Sequence, residues 1–515
     1  MEDHSLGEDR TDRTPECQCP SCHKLKSINS KLTEAKQLVE QLVAEKVAIK
    51  VELNMAHDPV TGKLPVEVTV RVFSVAMSDW GRLPTPLYEG ISRVPLLFGA
   101  VSRRWREIAW STPSLWTEVD ICISSTRVTT QMDLLKEWLE RSGQLPLLIG
   151  LCCSQRCSEI DSIYFTNKAI DILNQHSARW KDLILDIPVQ CIRRLGGDVE
   201  SGSRLTDIAI YPSPEQSQPD RHLTKLHLPN ATPRNVTCAD LTFRGLEINW
   251  AKVTKVDLKL LFVDECLQLF RVAPQLMDCI IGGIVPGSDT YPIPSRLLVL
   301  NSLKRLSISF DNVTPSMLLS HIQTPFLEDV IYCGPDLIGL KSLIIRSSCP
   351  LSSLSFSFIG AQSPEVVDLL RNTARLKDLD LEYCHLTDEF FDLLATTASL
   401  PPGGLGEGFL PLLTQLKISN PTIDFSWNAF ASMLAPTGSE PEGNHRRPLS
   451  KVSFYLERHL HIGPGPYIDE VAVSRLLKAI QQGVHLSIRQ GSGYLDLLEE
   501  SRKFHEGRHR EAEGT

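Results

Sequence analysis

No long hydrophobic run occurs in this 515-residue chain: the longest, about Leu145 to Cys153, is half the length needed to cross a bilayer. The opening residues, MEDHSLGEDRTDR, hold no apolar core of the kind a secretory signal requires. With neither feature, the expectation is an intracellular protein, cytoplasmic or nuclear, with no membrane partner. Its 14 cysteines then read as free thiols in a reducing compartment. Basic clusters are also missing, none being longer than Arg103-Arg104 or Arg446-Arg447. At a net charge of −9 the surface repels phosphate, so nucleic acid is excluded as a partner.

Catalytic signatures are absent as well. There is no G-x-S-x-G, no H-E-x-x-H and no G-x-x-x-x-G-K-[ST] phosphate loop. Gly403, Gly404, Gly406 and Gly408 lack phosphate-loop spacing and follow a loop rather than a strand. Cys17, Cys19, Cys22 and His23 supply four possible zinc ligands, but a stable site takes two separated pairs and the next cysteine is Cys122. The expectation is therefore no metal, no cofactor and no catalytic residue. An enzyme would need titratable groups meeting in a pocket between repeats.

What is present is an ordinary globular composition, 42% hydrophobic and 22% charged, with length for several domains or one long repeat array. Residues 1–24 are polar and expected to be disordered. From Leu25 a heptad seam runs through residues 25–57: Leu25, Ile28, Leu32, Ala35, Val39, Leu42, Lys46, Ile49 and Leu53 step by alternating three and four, with Lys46 the single polar break. Two readings stand: a coiled coil pairing two chains through residues 25–53, or one amphipathic helix packing back on the domain. Glu34, Lys36, Glu40, Glu45, Lys50 and Glu52 solvate its flanks. Asp58-Pro59-Val60-Thr61-Gly62 breaks the helix.

The next unit, residues 62–118, is helical and too short to bury a core alone. Pro65 suits a helix start, and Val68, Val72 and Phe73 are expected on one side of that helix. Leu97, Val101, Trp105 and Ile108 recur at spacings of four, four and three, predicting one face of a second helix. Pro113 stops it, and Leu115-Trp116 follows as an apolar plug. This series (Leu64-Pro65-x-Glu67, an apolar-Phe pair, V-x-x-x-W-x-x-I-A, then Thr112-Pro113-x-Leu115-Trp116) resembles the F-box over 53 of 515 residues. It is most similar to an expanded fungal group in which an insert, here about Ser78 to Val94, separates the helices. It departs from the pattern at Val68-Thr69-Val70, where Leu and Ile are usual.

Residues 119–500 alternate strands and helices. Glu118 to Ile123 and Leu145 to Cys152 read as strands, Thr129 to Arg141 and Ile163 to His176 as helices. A strand-like repeat then recurs at Leu183, Leu205, Leu223, Phe243, Val253, Leu303, Leu327, Leu351, Leu376, Leu413 and Leu449, nearly all of them reading apolar-x-x-apolar-x-apolar. The starts at 303, 327, 351 and 376 are separated by 24, 24 and 25 residues, inside the leucine-rich-repeat period of roughly 20–29. A Rossmann-like domain also alternates strands and helices, but no G-x-G-x-x-G follows any strand and the period is too regular. Loops near Ser201 to Pro219, Gly282 to Ser295, Pro401 to Gly408 and Pro436 to Pro448 project for partner contacts or are flexible filler. A helix–strand–helix cap closes the array, and residues 501–515 read as a polar tail.

The expected fold is thus α/β: a small F-box-like helical unit followed by an irregular leucine-rich-repeat solenoid of parallel strands with a concave sheet, preceded by a coiled-coil helix. The resemblance implies a substrate-recognition subunit of a Skp–cullin–F-box ubiquitin ligase. The helical unit docks on a Skp-type adaptor, through it reaches a cullin–RING scaffold, and the repeats hold a protein substrate. By position, Leu64, Pro65, Val68, Phe73, Leu97, Val101, Trp105 and Ile108 form the adaptor face and the core beneath it. Thr224, Lys225, Lys304, Arg305, Lys377, Asp378, Thr414 and Gln415 are the substrate candidates on the strands. The alternative is an adaptor-independent interaction scaffold whose F-box-like unit is degenerate.

Overall fold

The computed structural model describes residues 19–58, 60–79, 90–91, 94–124, 127–153, 158–196, 204–211, 225–239, 241–288, 290–311, 314–357, 363–398, 408–434, 449–456, 467–491 and 495–513. They fall into two compact units, one within Met1–Pro84 and Arg93–Trp116, the other within Thr85–Ser92 and Thr117–Thr515.

The first unit is helical. Helix α1 spans Pro20–Ala56. It starts inside the segment expected to be disordered, because Pro20 fits the first turn and the Cys19 thiol accepts a hydrogen bond from the Cys22 amide. Helix α2 spans Val66–Asp79, and its Thr69 amide donates to the Pro65 carbonyl. The second half does not form the single helix that the spacing of Leu97, Val101, Trp105 and Ile108 suggests. Ser102 adopts extended backbone and its hydroxyl caps the Trp105 amide at 3.1 Å, splitting the segment into α3 (Val94–Val101) and α4 (Arg103–Trp110). Pro113–Trp116 is a short 3₁₀ turn with Leu115 and Trp116 buried.

The second unit is α/β, with a long, mostly parallel sheet of 16 strands among the described residues, a solenoid-like arrangement. Strands follow one another in chain order from Glu118–Ile123 to His485–Gln490, each hydrogen-bonded to the last after a connection over the other side. Only the edge pairs are antiparallel: Gly90–Ile91 on Glu118–Ile123, and Leu495–Asp496 on His485–Gln490. Arg305–Phe310, Asp329–Cys333, Ser353–Ser357 and Asp378–Glu382 begin 24, 24 and 25 residues apart, the spacing of the apolar motif. Leu306, Val330, Leu354 and Leu379 occupy one register row, and Ile308, Tyr332, Phe356 and Leu381 another, all buried. Side chains alternate across a strand, so these rows line the covered face while the intervening positions stay open.

Not every motif is a rung of this sheet. Leu226–Leu228 and Leu246–Ile248 pair with each other in a separate two-stranded sheet. The rung between Asp207–Ile210 and Lys255–Lys259 is instead Asn235–Cys238, and Asp278–Ile284 is a further rung after Lys255–Lys259; in them Cys238 and Cys279 occupy buried positions that leucine fills elsewhere. The stretch from Gly282 is likewise no free loop. Gly282 to Ile284 complete a strand, and Ser288, Thr290 and Tyr291 are tied to the buried carboxylate of Asp264. At the C-terminal end, the expected tail from Ser501 is helix to Glu513; buried Ser501 receives the Ile468 amide and His505 bonds the Ile468 carbonyl. Most of the other three predicted loops lies outside the described residues. Among the described residues no helix is long and apolar enough to cross a membrane.

Candidate functional site

Packing in the helical unit divides its eight candidate residues into two sets. Phe73 is buried and stacks on Phe98 with ring centroids 4.4 Å apart and planes 10° from parallel. Trp105 closes the cluster 4.8 Å from Phe73. Ile108 is buried in α4. Phe98 belongs to no predicted stripe, and only the fold reveals its place at the centre. These residues form the core. Leu64, Pro65, Val68, Leu97 and Val101 are exposed, as are Val66, Val72 and Val75. Val68 and Val72 therefore do not share a side with Phe73; the buried pair is Thr69 and Phe73, four residues apart, with the Thr69 hydroxyl donating to the Pro65 carbonyl at 3.2 Å.

The result is two apolar stripes facing outward. Val68, Val72 and Val75 run along α2, and Leu97 and Val101 along α3. Scattered apolar residues on a surface are ordinary, but helical stripes of them mark a contact surface. Close helix approach holds the stripes in place. The Trp110 ring lies over Gly99, where an added Cβ would fall 2.1 Å from it, and Arg106 Nε donates to the Gly99 carbonyl at 2.8 Å.

Asp58 fastens the end of α1 to this core. Its carboxylate receives the Trp105 indole N–H at 2.7 Å, the Val60 and Thr61 amides at 2.9 Å each, and the Thr61 hydroxyl. Partial desolvation raises its pKa, but the Thr61, Val60 and Trp105 donors outweigh this and hold it below the ordinary aspartate value. A lowered folded-state pKa contributes stability that is complete above the unfolded value of about 3.9 and is lost as pH falls through the folded value. Acidification below about pH 4 is thus expected to release the Trp105 indole, read as a tryptophan emission change that Asp58→Ala shows already at neutral pH. An unchanged spectrum in that variant would remove the anchor.

The candidates on the second unit are less unified. Thr224 lies outside the described residues, and Lys225 sits beside the small sheet, paired with Glu247 at 2.6 Å. Arg305, Asp378 and Gln415 do stand on the open face of the long sheet. Lys304, Lys377 and Thr414 each precede their strand by one residue. At that edge two successive amides donate to one carbonyl of the previous rung, as Lys377 and Asp378 do to Ser352. Much of the charge is internally paired: Arg305 with Asp278 at 2.7 Å, Lys304 with Glu328 at 3.3 Å and Lys417 with Asp380 at 2.8 Å. The signal missed in the sequence is apolar. Ile331 is half exposed on the open face, in register with Ser307 and Ser355.

A pocket of about 280 Å³ lined by Phe270, Pro274, Leu298 and Leu303 contains one titratable side chain, Arg271, so it presents no acid–base pair. Cys17 lies outside the described residues; among those described, no group of three or more metal-ligating side chains comes together. No protein-family model and no curated protein matches this chain.

Proposed function

We propose that the chain is a non-catalytic recognition subunit of a Skp–cullin–F-box ubiquitin ligase. The helical unit docks on a Skp-type adaptor, and a leucine-rich-repeat-like ladder holds the substrate. The observation that carries this reading is the division of the helical unit into an aromatic core and outward apolar stripes. A unit that packs buried Phe73 against half-buried Phe98 and Trp105 has a core of its own, which leaves exposed Leu64, Val68, Leu97 and Val101 for a partner. The catalytic groups belong to the partners, and this chain contributes proximity. The open face of the ladder, including Arg305, Asp378, Gln415 and Ile331, is the proposed substrate surface, reached by side chains on rigid strands.

Trp105 is a poor probe of docking, because it also packs on Phe73 and donates to Asp58. Leu97→Glu with Val101→Glu alters exposed positions only. Co-purification with a Skp-type adaptor is expected to fall at least about tenfold, the equivalent of one lost apolar contact of about 1.4 kcal/mol, with thermal stability unchanged. Undiminished recovery would reject this surface. Failure of the unaltered chain to recover any adaptor would favour the scaffold reading with a degenerate helical unit.

A further inference from the structure

We propose that α1 pairs with α1 of a second copy of this chain in antiparallel orientation, with Leu38 at the two-fold axis. The inference is independent of adaptor docking. Every residue from His23 to Leu53 is exposed, so none of the described residues of its own chain covers the apolar seam of α1. Nor is this helix built to stand alone. No Glu precedes a Lys by three or four residues, so Lys31 with Glu34 and Lys36 with Glu40 pair only in the weaker order; Lys46 and Lys50 repel, no acidic side chain lies in the first turn and no basic one in the last. A long solvated helix without such support takes its stability from packing its apolar stripe.

Charge chooses both partner and direction. With Leu25 at heptad position a, the g positions read Lys24, Lys31, Leu38, Glu45 and Glu52. This series is its own complement when reversed about Leu38. In an antiparallel pair g faces g, placing Lys24 against the partner's Glu52 and Lys31 against the partner's Glu45, each twice by symmetry. The core then layers Leu25 on the partner's Ile49, Leu32 on the partner's Leu42 and Ala35 on the partner's Val39, so the seam is used from Leu25 to Ile49. Lys46 falls opposite the partner's Ile28, where its stem packs and its ammonium reaches water. One like-charge contact remains, Lys36 against the partner's Lys36. A parallel pair fares worse: Lys46 meets Lys46 on the axis, and Lys31 meets Lys36 on both sides, against the single favourable kind, Glu45 with Lys50.

Sedimentation velocity of the full chain across a concentration series tests this. The unaltered protein is expected to sediment as a dimer. Lys31→Glu separates the two directions: it sets Glu against Glu in the antiparallel pair and is expected to raise the dimer dissociation constant about threefold or more, whereas it repairs a repulsion in the parallel pair. Adding Glu45→Lys is expected to restore the dimer. All substituted positions are exposed, so folding is not at stake. A complementary arm oxidises Leu38→Cys, whose introduced thiols meet across the axis only in the antiparallel pair; peptide mapping identifies that disulfide among the native cysteines. A monomer at all concentrations, tighter association of Lys31→Glu, or no mapped disulfide would overturn the inference.

Discussion

Phe73→Ala is expected to unfold the helical unit. Phe73 is buried, with Phe98 stacked at 4.4 Å and Trp105 at 4.8 Å, so truncation removes the ring on which two other helices lean. Phe→Ala in a core costs about 3–5 kcal/mol. A small unit with few buried side chains has little more than that in reserve. The neighbouring Val72 supplies the control, being exposed on the other side of α2. Val72→Ala is expected to shift stability by less than about 0.5 kcal/mol. Hydrogen exchange resolved over residues 66–116 separates the two, with amides of α2 to α4 losing protection in the first variant only. Equal behaviour of both variants would mean that the buried and open sides of α2 are wrongly assigned.

The second large effect is expected at Asp264. Its buried carboxylate accepts the amides of Ser288, Thr290 and Tyr291 at 2.9, 3.1 and 3.0 Å and the Ser288 hydroxyl at 2.9 Å. Asp264→Ala leaves these donors without that acceptor. Hydrogen bonds to a charged group contribute about 1.5–3 kcal/mol each and are not additive, so a loss of about 3 kcal/mol is expected. Burial raises the pKa of Asp264, but the Ser288, Tyr291 and Thr290 donors prevail and set it below the usual carboxylate value. As with Asp58, its contribution is whole above the unfolded value of about 3.9 and disappears as pH drops through the lowered folded value. Loss of exchange protection at Ser288, Thr290 and Tyr291 in Asp264→Ala at neutral pH, and in the unaltered chain only in acid, is the expected pattern. Protection that survives the substitution would show that the segment is held by other contacts, such as Tyr291 against Phe243.

Local rules carried far in this chain where a single interaction repeats. Leu303, Leu327, Leu351 and Leu376 mark rungs whose spacing is set by one strand and one crossover, so each motif suffices to place the next. They failed where the same pattern serves another purpose. The motif at Leu223 and Phe243 looks like a rung, yet its strands pair with each other, while Cys238 and Cys279 stand in true rungs under a residue type that a leucine pattern passes over. Periodicity also overran the break at Ser102, since spacing counts residues and is blind to a hydroxyl that satisfies the next helix's amide. The lone Asp58 and Asp264 carried no sequence signal, because their partners at Trp105 and Ser288 arrive through tertiary contact.

Sequence alone determined the heptad seam of α1, its reversed charge order, the helical stretch around Trp105 and the period of the ladder, because each depends on residues a turn or a strand apart. Only the tertiary structure decided which apolar side chains became core and which became surface. That choice depends on what packs against each residue: Phe98 closing over Phe73 turned one side of α2 inward and left Val68 and Val72 facing solvent. The same holds for the ladder's open face, where ion pairs between neighbouring rungs occupy much of the charge that the strand pattern offers.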